Sequence, residues 1–309
     1  MKHWIEAARL RTLPLSVSGI LVGSVYALNN PTSTVYTPTE VFNWEILALA
    51  LLTTIGFQVL SNFANDYGDG VKGTDNEDRV GPERAIQSGV ITPQAMKKAM
   101  IITGLLTFLC AVLLIYVSFH DEYLWYSLFF LLLGIAAIAA AVKYTVGKSA
   151  YGYRGLGDVF VFVFFGLVST LGVNFLYSKE FSWQLVLPAC AIGMLSVGVL
   201  NLNNMRDELS DRKSGKNTLV VLIGGQKAKI YHYFLVGGAM LLVLLFAFNY
   251  NGYGFRIDQY AFLVAYFPLL SHLRTVYRCE DNRRLDPQLK KLAISTFLLS
   301  LILAMVLIF

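Results

Sequence analysis

The stretch Val59–Asp75 reads VLSNFANDYGDGVKGTD and joins a long apolar segment to a cluster of acidic residues. The apolar segment Trp44–Phe63 has the length of roughly 20 residues that an α-helix needs to cross a bilayer core. Asn62, Asp66 and Asp69 are spaced i, i+4 and i+7, so a helix that continues past the apolar segment places them along one face. Carboxylates at the end of a span are costly in lipid and normally face a cavity or a partner. The stretch therefore predicts a membrane protein with a polar site at one membrane surface.

A second stretch repeats this arrangement later in the chain. Val199–Lys216 reads VLNLNNMRDELSDRKSGK and again follows an apolar segment, Gln184–Asn204. Asn203, Asp207 and Asp211 are spaced i, i+4 and i+8, which also places them on one helical face. The match between the two stretches predicts two related helical halves.

The whole chain has the composition of an integral membrane protein. Of its 309 residues 56% are hydrophobic and 15% are charged, whereas soluble domains carry about 25% charged residues. The apolar runs predict nine transmembrane helices, at Leu13–Leu28, Trp44–Phe63, Lys98–Phe119, Leu124–Val142, Leu156–Tyr177, Gln184–Asn204, Ile230–Tyr250, Gln259–Thr275 and Leu292–Phe309. We therefore expect an all-α integral membrane fold, with one polytopic domain over residues 1–309 and acidic repeats at 62–75 and 203–216.

The basic residues predict the orientation of these spans. Of the 25 lysines and arginines, all but Lys179 and Arg256 lie in the N-terminal segment, in the loops on its side of the membrane, or at the adjoining span ends. Positively charged loops stay cytoplasmic, so the N-terminus and both acidic stretches are predicted to be cytoplasmic. The first apolar stretch has no convincing cleavage site and is expected to be a retained span, which fits a bacterial inner membrane. The protein has a net charge of +5, but it is not expected to bind nucleic acid, because no soluble basic domain is predicted.

The two acidic stretches predict a magnesium site beside a phosphate-bearing substrate. Carboxylate and amide oxygens are hard ligands that suit Mg²⁺, which commonly binds through a few carboxylates plus substrate phosphates. Basic residues are interspersed with these acids and suit a diphosphate: they are Lys72, Arg79, Arg84, Arg206, Arg212, Lys213 and Lys216.

Other functions remain open from the residues alone. An ion transporter could carry a repeated carboxylate site, although transporters tend to place such sites near the membrane midplane on broken helices. A CDP-alcohol phosphatidyltransferase is another membrane transferase, but its DG-xx-AR-type motif is absent from the sequence. A single acidic cluster could also be a solvated, salt-bridged loop.

The two acidic stretches resemble the paired aspartate-rich motifs of the UbiA superfamily of intramembrane prenyltransferases, whose general pattern is NDxxDxxxD and DxxxD. Asn65, Asp66 and Asp69 match the first motif, while its third aspartate is displaced to Asp75. This longer spacing is similar to the menaquinone-type branch that prenylates 1,4-dihydroxy-2-naphthoate. The segments ARLRTLPLS, GPERAIQSG, YRGLGDVFVFVFFG and GKNTL also resemble that branch.

The resemblance implies nine transmembrane helices around a lipid-facing cavity with a cytoplasmic cap. It further implies Mg²⁺-dependent transfer of a polyprenyl group from polyprenyl diphosphate to 1,4-dihydroxy-2-naphthoate, with decarboxylation, to give demethylmenaquinone. Other ring acceptors such as 4-hydroxybenzoate are the nearest alternatives. The sequence does not determine the length of the prenyl chain or the oligomeric state.

The same resemblance assigns expected roles to individual residues. The catalytic metal ligands are Asp66, Asp69, Asp207 and Asp211, with Asn62, Asn203 and Asp75 as further oxygen ligands. The diphosphate is expected to bind Lys72, Arg84, Lys148, Arg212 and Lys216. The acceptor is expected to bind Arg11 and Tyr144, although Arg11 could equally be a positive-inside anchor. Asp158 is expected to accept a proton from the acceptor hydroxyl, or else to cap its helix and pair with Arg154.

Overall fold

The computed structural model describes residues 2–29, 43–74, 80–81, 83–250 and 257–308, and its long elements in these ranges are all helical. In chain order the helices are α1 (Lys2–Ala8), α2 (Leu13–Asn29), α3 (Trp44–Lys72), α4 (Pro93–Phe119), α5 (Leu124–Lys143), α6 (Gly157–Ser178), α7 (Val186–Lys213), α8 (Leu219–Ile223), α9 (Gly225–Tyr250), α10 (Tyr266–Arg278) and α11 (Asp286–Ile308). The prediction of an all-α fold is confirmed.

Seven helices of the described chain are long and apolar enough to cross a membrane, namely α3, α4, α5, α6, α7, α9 and α11. The first predicted span, now α2, passes this test only together with α1, from which it is bent by 55°. The predicted span Gln259–Thr275 is divided between a 3₁₀-helix, Ile257–Ala265, and α10. The fold is therefore that of a multi-pass membrane protein, and the predicted count of nine spans is not confirmed.

Helix α7 lies at the centre of the bundle. Of its most apolar window 72% is buried, compared with 6% for α5, whose side chains are left for lipid. Helices α6, α9 and α11 pack against α7, while α3 packs against α4 and α5, and α2 contacts both groups. The central position of α7 explains why the second acidic stretch, at its end, faces the interior.

Small residues bring α6 against α7. A Cβ atom on Gly166 would lie 2.6 Å from the Cα atom of Gly193, so these two backbones are in direct contact. Such contacts between glycines are typical of helix packing in membranes. Around Gly166, α6 forms a π-helical stretch, Phe162–Gly172, a form that is often found at functional sites.

Both acidic stretches are helical, as predicted. Helix α3 continues nine residues past Phe63, to Lys72, and α7 continues past Asn204 to Lys213. Gly73 ends α3 in the left-handed conformation, with φ 71°, and its backbone N–H donates to the carbonyl of Asp69. Glycine adopts this conformation without strain, so the helix stops directly after its acidic face.

Candidate active site

Two adjoining cavities lie between the helices. A polar chamber of about 160 Å³ contains side chains of Arg9, Asp69, Arg84, Asn203 and Lys216. An apolar chamber of about 290 Å³ is surrounded mainly by α3, α4, α5 and α6 and contains many aromatic and aliphatic side chains. The chambers share wall residues, so a charged cavity and an apolar cavity lie side by side.

The two acidic stretches meet at Lys216. Its ammonium nitrogen lies 3.5 Å from an oxygen of Asp69, on α3, and 3.7 Å from an oxygen of Asp211, on α7. All three side chains are buried. Burial alone would lower the pKa of Lys216, but the two neighbouring carboxylates outweigh it and raise this pKa above its ordinary value. Lys216 is therefore charged and links the two halves of the site.

Asp66 contacts two arginines. The Arg9 guanidinium donates a hydrogen bond to its carboxylate, and Arg84 lies 3.2 Å from the same oxygen. The Asp66 side chain is 1% exposed, so these cations offset the cost of burying its charge. One turn earlier on α3, Asn62 donates from its amide nitrogen to the carbonyl of Ala8 at 2.9 Å, and the residue forms part of the wall of both chambers.

Asp207 is held by its neighbour Arg206. The Arg206 Nε donates to Asp207 Oδ1 at 2.8 Å and a terminal nitrogen donates to Oδ2 at 2.6 Å. Arg206 also donates to Asn203 Oδ1 at 2.9 Å and to Asp286 at the start of α11. A guanidinium that is 2% exposed and contacts three oxygen-bearing side chains fixes the second acidic stretch against the last helix.

Tyr153 connects the first acidic stretch to the loop before α6. Its hydroxyl donates to Asp69 Oδ1 at 2.7 Å and lies 2.5 Å from the Thr74 hydroxyl. Burial, with the Asp69 carboxylate, raises the pKa of Tyr153, so the phenol stays neutral. Lys72 Nζ lies 3.9 Å from the centroid of the Tyr153 ring and donates to the carbonyl of Thr145 at 2.7 Å.

Tyr144 lies where the chambers join and is part of both walls. Burial raises the pKa of Tyr144 to about 12. Its ring begins a line of aromatic side chains along the apolar chamber. The Tyr144 and Tyr151 centroids are 5.3 Å apart, those of Tyr151 and Phe160 are 3.9 Å apart, and those of Phe160 and Phe164 are 6.3 Å apart.

Asp158 is buried at the start of α6, with 7% exposure, and Tyr231 of α9 is its side-chain hydrogen-bond partner. Its Oδ2 atom has no hydrogen-bond partner among the described residues. It is not part of either chamber wall, but it lies close enough to Tyr144 to act on it electrostatically.

The structure does not bring every predicted residue to the chambers: of the predicted metal-binding aspartates that the structure describes, only Asp69 lines a chamber, and Asp66, Asp207, Asp211 and Lys72 belong to neither wall. Arg212 is exposed and pairs with Glu208 at 3.1 Å, one turn earlier on α7. Lys148 is exposed in the loop after α5 and is absent from both chamber walls. Arg11 lies in a 3₁₀ turn, but its side chain is outside the described part of the chain, as is the whole of Asp75.

Two residues of the site were not among those predicted. Arg9 contacts Asp66, and the left-handed conformation of Arg9, with φ 51°, lies just before the 3₁₀ turn that contains Arg11. Both arginines belong to the ARLRTLPLS segment, so Arg9 lies in the same segment that the resemblance singled out for Arg11. Tyr153 opens the YRGLGDVFVFVFFG segment, but its bond to Asp69 joins residues 84 positions apart and depends on tertiary structure.

The donor atoms fit a magnesium ion that shares its ligands with a substrate. The oxygens near the meeting point of α3 and α7 are carboxylate and amide oxygens, which Mg²⁺ prefers. In the described ranges no three histidine, cysteine, aspartate or glutamate side chains form a group that could hold a metal by themselves. Because Mg²⁺ usually completes its shell with waters and phosphate oxygens, this arrangement suits a metal bound together with a diphosphate.

Comparisons with known proteins agree with this geometry. Residues 31–302 match the UbiA prenyltransferase family. The chain is 39% identical to a Haemophilus influenzae protein named 1,4-dihydroxy-2-naphthoate octaprenyltransferase, over 99% of this chain and 95% of that protein. It is 42% identical to the Escherichia coli protein of the same name, over 93% of this chain and 89% of that protein.

Solved structures share the fold. A UbiA homolog from Aeropyrum pernix K1 aligns with a TM-score of 0.67 at 15% identity, over 96% of this chain and 99% of that one. A UbiA homolog from Archaeoglobus fulgidus bound to GPP and Mg²⁺ aligns with a TM-score of 0.60 at 15% identity, over 97% and 99%. With a family match over most of its length and two relatives well above 30% identity, this chain belongs to the UbiA prenyltransferase family.

Proposed function

We propose that this protein transfers a polyprenyl group from polyprenyl diphosphate to 1,4-dihydroxy-2-naphthoate in a Mg²⁺-dependent reaction. The names of the Haemophilus influenzae and Escherichia coli relatives support this donor class and this acceptor. The archaeal homologs solved with DMAPP or GPP and Mg²⁺ support the diphosphate and the metal. The new carbon–carbon bond forms at the ring carbon that loses its carboxylate as CO₂, the diphosphate leaves, and the product is the prenylated, decarboxylated quinol of menaquinone biosynthesis.

One observation carries the proposal: Lys216, which contacts Asp69 and Asp211, lines a charged chamber that adjoins an apolar one. A polyprenyl diphosphate has the same two-part chemistry, with a multiply charged head and an apolar chain. The charged end suits the diphosphate, and the apolar end suits the first part of the prenyl chain.

The proposed metal ligands are Asp66, Asp69, Asp207 and Asp211, with Asn62 and Asn203 as supporting oxygens. When bound, Mg²⁺ neutralises charge on the diphosphate and so makes it a better leaving group. Lys216, Arg9 and Arg84 contact Asp66, Asp69 and Asp211, line the polar chamber, and stabilise the charge that develops on the departing diphosphate.

The other residues act on the prenyl group and the acceptor. Departure of the diphosphate leaves an allylic cation, and the aromatic line from Tyr144 to Phe164 can stabilise it through the ring faces. The electron-rich ring then attacks this cation. Asp158 is proposed to accept the proton of a naphthoate hydroxyl. Tyr144, which lies where the chambers join, is proposed to contact the naphthoate ring. Lys72, Lys148 and Arg212 remain weaker candidates for the diphosphate.

We also propose the bacterial inner membrane as the location, with the N-terminus and the polar chamber on the cytoplasmic side. The excess of lysine and arginine in one set of loops supports this orientation. It places the charged chamber where water-soluble Mg²⁺ and the naphthoate can enter, and it leaves the apolar chamber at the depth of the lipid.

The function is tested with the detergent-purified full chain, geranylgeranyl diphosphate, 1,4-dihydroxy-2-naphthoate and Mg²⁺, and mass spectrometry detects the prenylated, decarboxylated product. We expect product with Mg²⁺, none with EDTA, and at least a 100-fold loss in Asp69→Asn and Asp211→Asn. Asp281→Asn is the matched control, because this aspartate lies in the loop before α11 and pairs with Arg283. Prenylation of 4-hydroxybenzoate in place of the naphthoate would contradict the acceptor but keep the reaction. No turnover with any ring would refute the proposed function.

A further inference from the structure

Gln58 is a buried amide in the middle of α3. It is 8% exposed and forms part of the wall of both chambers. A polar side chain within a membrane span costs free energy unless its hydrogen bonds are satisfied, and it is commonly functional. None of the expected metal, diphosphate or acceptor residues is Gln58, so its role is not explained by the two acidic stretches.

The surrounding hydrogen bonds fix the orientation of this amide. The Thr12 hydroxyl donates to the carbonyl of Arg9 at 2.9 Å, so it must accept from its other neighbour, Gln58 Nε2, which is also 2.9 Å away. The Ser16 hydroxyl donates to Gln58 Oε1 at 2.9 Å. An amide has two N–H donors and an oxygen with two lone pairs. One donor and one lone pair of Gln58 therefore remain for a ligand in the chamber.

The position of Gln58 indicates which part of the substrates it can reach. Asp66 lies eight residues further along α3, which is about 12 Å along the helix axis. Gln58 therefore lies about two helical turns nearer the apolar end of α3 than Asp66, although it also forms part of the wall of the polar chamber. The new bond forms between a ring carbon and the first carbon of the prenyl group, which lies where the charged head ends and the apolar chain begins. The ring must consequently lie at the junction of the two chambers.

Four polar residues lie at this junction: Gln58, Asn62, Asn65 and Tyr144. Asn62 donates one of its two amide N–H groups to the carbonyl of Ala8 and, four residues after Gln58, lies closer to the charged end of α3. Asn65 is adjacent to Asp66 and lies 3.4 Å from the Thr145 hydroxyl, toward the charged end. Of these four residues, Gln58 lies nearest the apolar end of α3. It has one donor and one acceptor site left for a ligand. It matches a ring hydroxyl, which can both donate and accept.

We infer that Gln58 binds a ring hydroxyl of the aromatic acceptor and thereby orients the ring toward the prenyl group, an inference that rests on the proposed function. Ser16 and Thr12 act as positioning residues, because they hold the amide in one rotamer. Since Thr12 is also bonded to Arg9, the arginine that contacts Asp66, the ring and the charged chamber are oriented by the same short turn of chain. Gln58 is thus a specificity-determining residue for hydroxylated aromatic rings.

Gln58 could instead serve only to join α2 to α3, and the chain offers a matched control for that role. Asn174 is a buried amide of α6 that donates to the carbonyl of Gly23 on α2 at 3.3 Å, yet it belongs to neither chamber wall. Asn174→Leu removes an interhelical amide bond and leaves the junction unchanged. Gln58→Leu removes both the interhelical bonds and the proposed ligand contact.

The experiment measures three constants in the purified full chain: the KM for 1,4-dihydroxy-2-naphthoate, the KM for geranylgeranyl diphosphate, and competitive inhibition by 2-naphthoate, which lacks both hydroxyls. For Gln58→Leu we expect the acceptor KM to rise roughly 10-fold to 100-fold, the range of one or two lost hydrogen bonds. The other two constants should change less than about 2-fold. Asn174→Leu should leave all three unchanged, and Ser16→Ala should raise only the acceptor KM, by a smaller factor.

An unchanged acceptor KM in Gln58→Leu, or an equal rise in all three constants, would overturn the inference while the activity of the unmutated protein still supported the proposed function. If Gln58→Leu does not fold, Gln58→Met keeps the side-chain length, and Ser16→Ala tests the same amide indirectly. No turnover of any ring by the unmutated protein would overturn the proposed function and this inference with it.

Discussion

Replacing Lys216 by methionine should destabilise the fold strongly, because it removes the cation that joins the two acidic stretches. Its ammonium lies 3.5 Å from Asp69 and 3.7 Å from Asp211, and its side chain is only 10% exposed. Methionine has a similar length and can fill the same space without a charge. The substitution therefore tests the charge of Lys216 with little change in packing.

The magnitude follows from the two distances. With an effective dielectric constant of about 20, Coulomb's law gives roughly 4 to 5 kcal/mol for each pair before the cost of desolvating the lysine is subtracted. Measured losses on removing one partner of a buried pair are about 3–5 kcal/mol. We expect Lys216→Met to lower the free energy of unfolding by about 3–5 kcal/mol, since two carboxylates are then left without their shared cation.

The assay is unfolding of the detergent-solubilised protein by SDS, followed by far-ultraviolet circular dichroism. Asp69→Asn and the double variant with Lys216→Met complete a cycle, and the double variant should lose about 1–3 kcal/mol less than the sum of the single losses. Millimolar Mg²⁺ should stabilise Lys216→Met more than the unmutated protein. Lys97→Met, an exposed lysine at the start of α4, should change stability by less than about 0.5 kcal/mol. Additive losses, together with an equal effect of Mg²⁺ on both proteins, would refute the idea that Lys216 joins the stretches.

Three further predictions concern single side chains of the site and the core. Tyr153→Phe should lower kcat/KM roughly 10-fold in the prenyl transfer assay, because Asp69 loses a hydrogen bond of 2.7 Å worth about 1.5–3 kcal/mol. Gly166→Val should destabilise the bundle by at least about 1–3 kcal/mol in the SDS titration, since its Cβ would lie 2.6 Å from the Cα atom of Gly193. Tyr144→Phe should change activity by a constant factor from about pH 6 to 9, because a pKa raised to about 12 keeps the phenol protonated throughout this range.

Apolar segments and helical spacing were sufficient to predict the membrane fold and the direction of the acidic faces. Each acidic stretch lies on a helix that continues beyond its span, and Asp69 and Asp211 both contact Lys216. The number of spans was less predictable. Helix α2 has only 17 residues and reaches the length of a span only together with α1, and Gln259–Thr275 is divided between a 3₁₀-helix and α10. The apolar composition of a sequence segment does not show where a helix bends or changes type.

The partners of the acidic residues could not be predicted, because they come from distant parts of the chain. Arg9 reaches Asp66 from the turn before α2, and Tyr153 reaches Asp69 from the loop before α6. Arg212 shows the converse. It is adjacent to Asp211 in sequence, but on a helix adjacent residues point in different directions, and Arg212 pairs with Glu208 at i−4 instead.

The carboxylates of Asp66, Asp69 and Asp211 are paired with cations of the protein, and this pairing bears on how the proposed ligands enter. Three carboxylates contact three cations, namely Asp66, Asp69 and Asp211 with Arg9, Arg84 and Lys216. A diphosphate alone would bring a large negative charge into this buried, ion-paired site, and Mg²⁺ alone would bring a positive one. Either excess is costly where the dielectric constant is low. If a diphosphate and Mg²⁺ entered together, their charges would nearly cancel, and the carboxylates could hold the metal while the cations held the phosphates. These ion pairs therefore favour binding of the polyprenyl diphosphate together with Mg²⁺ over binding of either one alone.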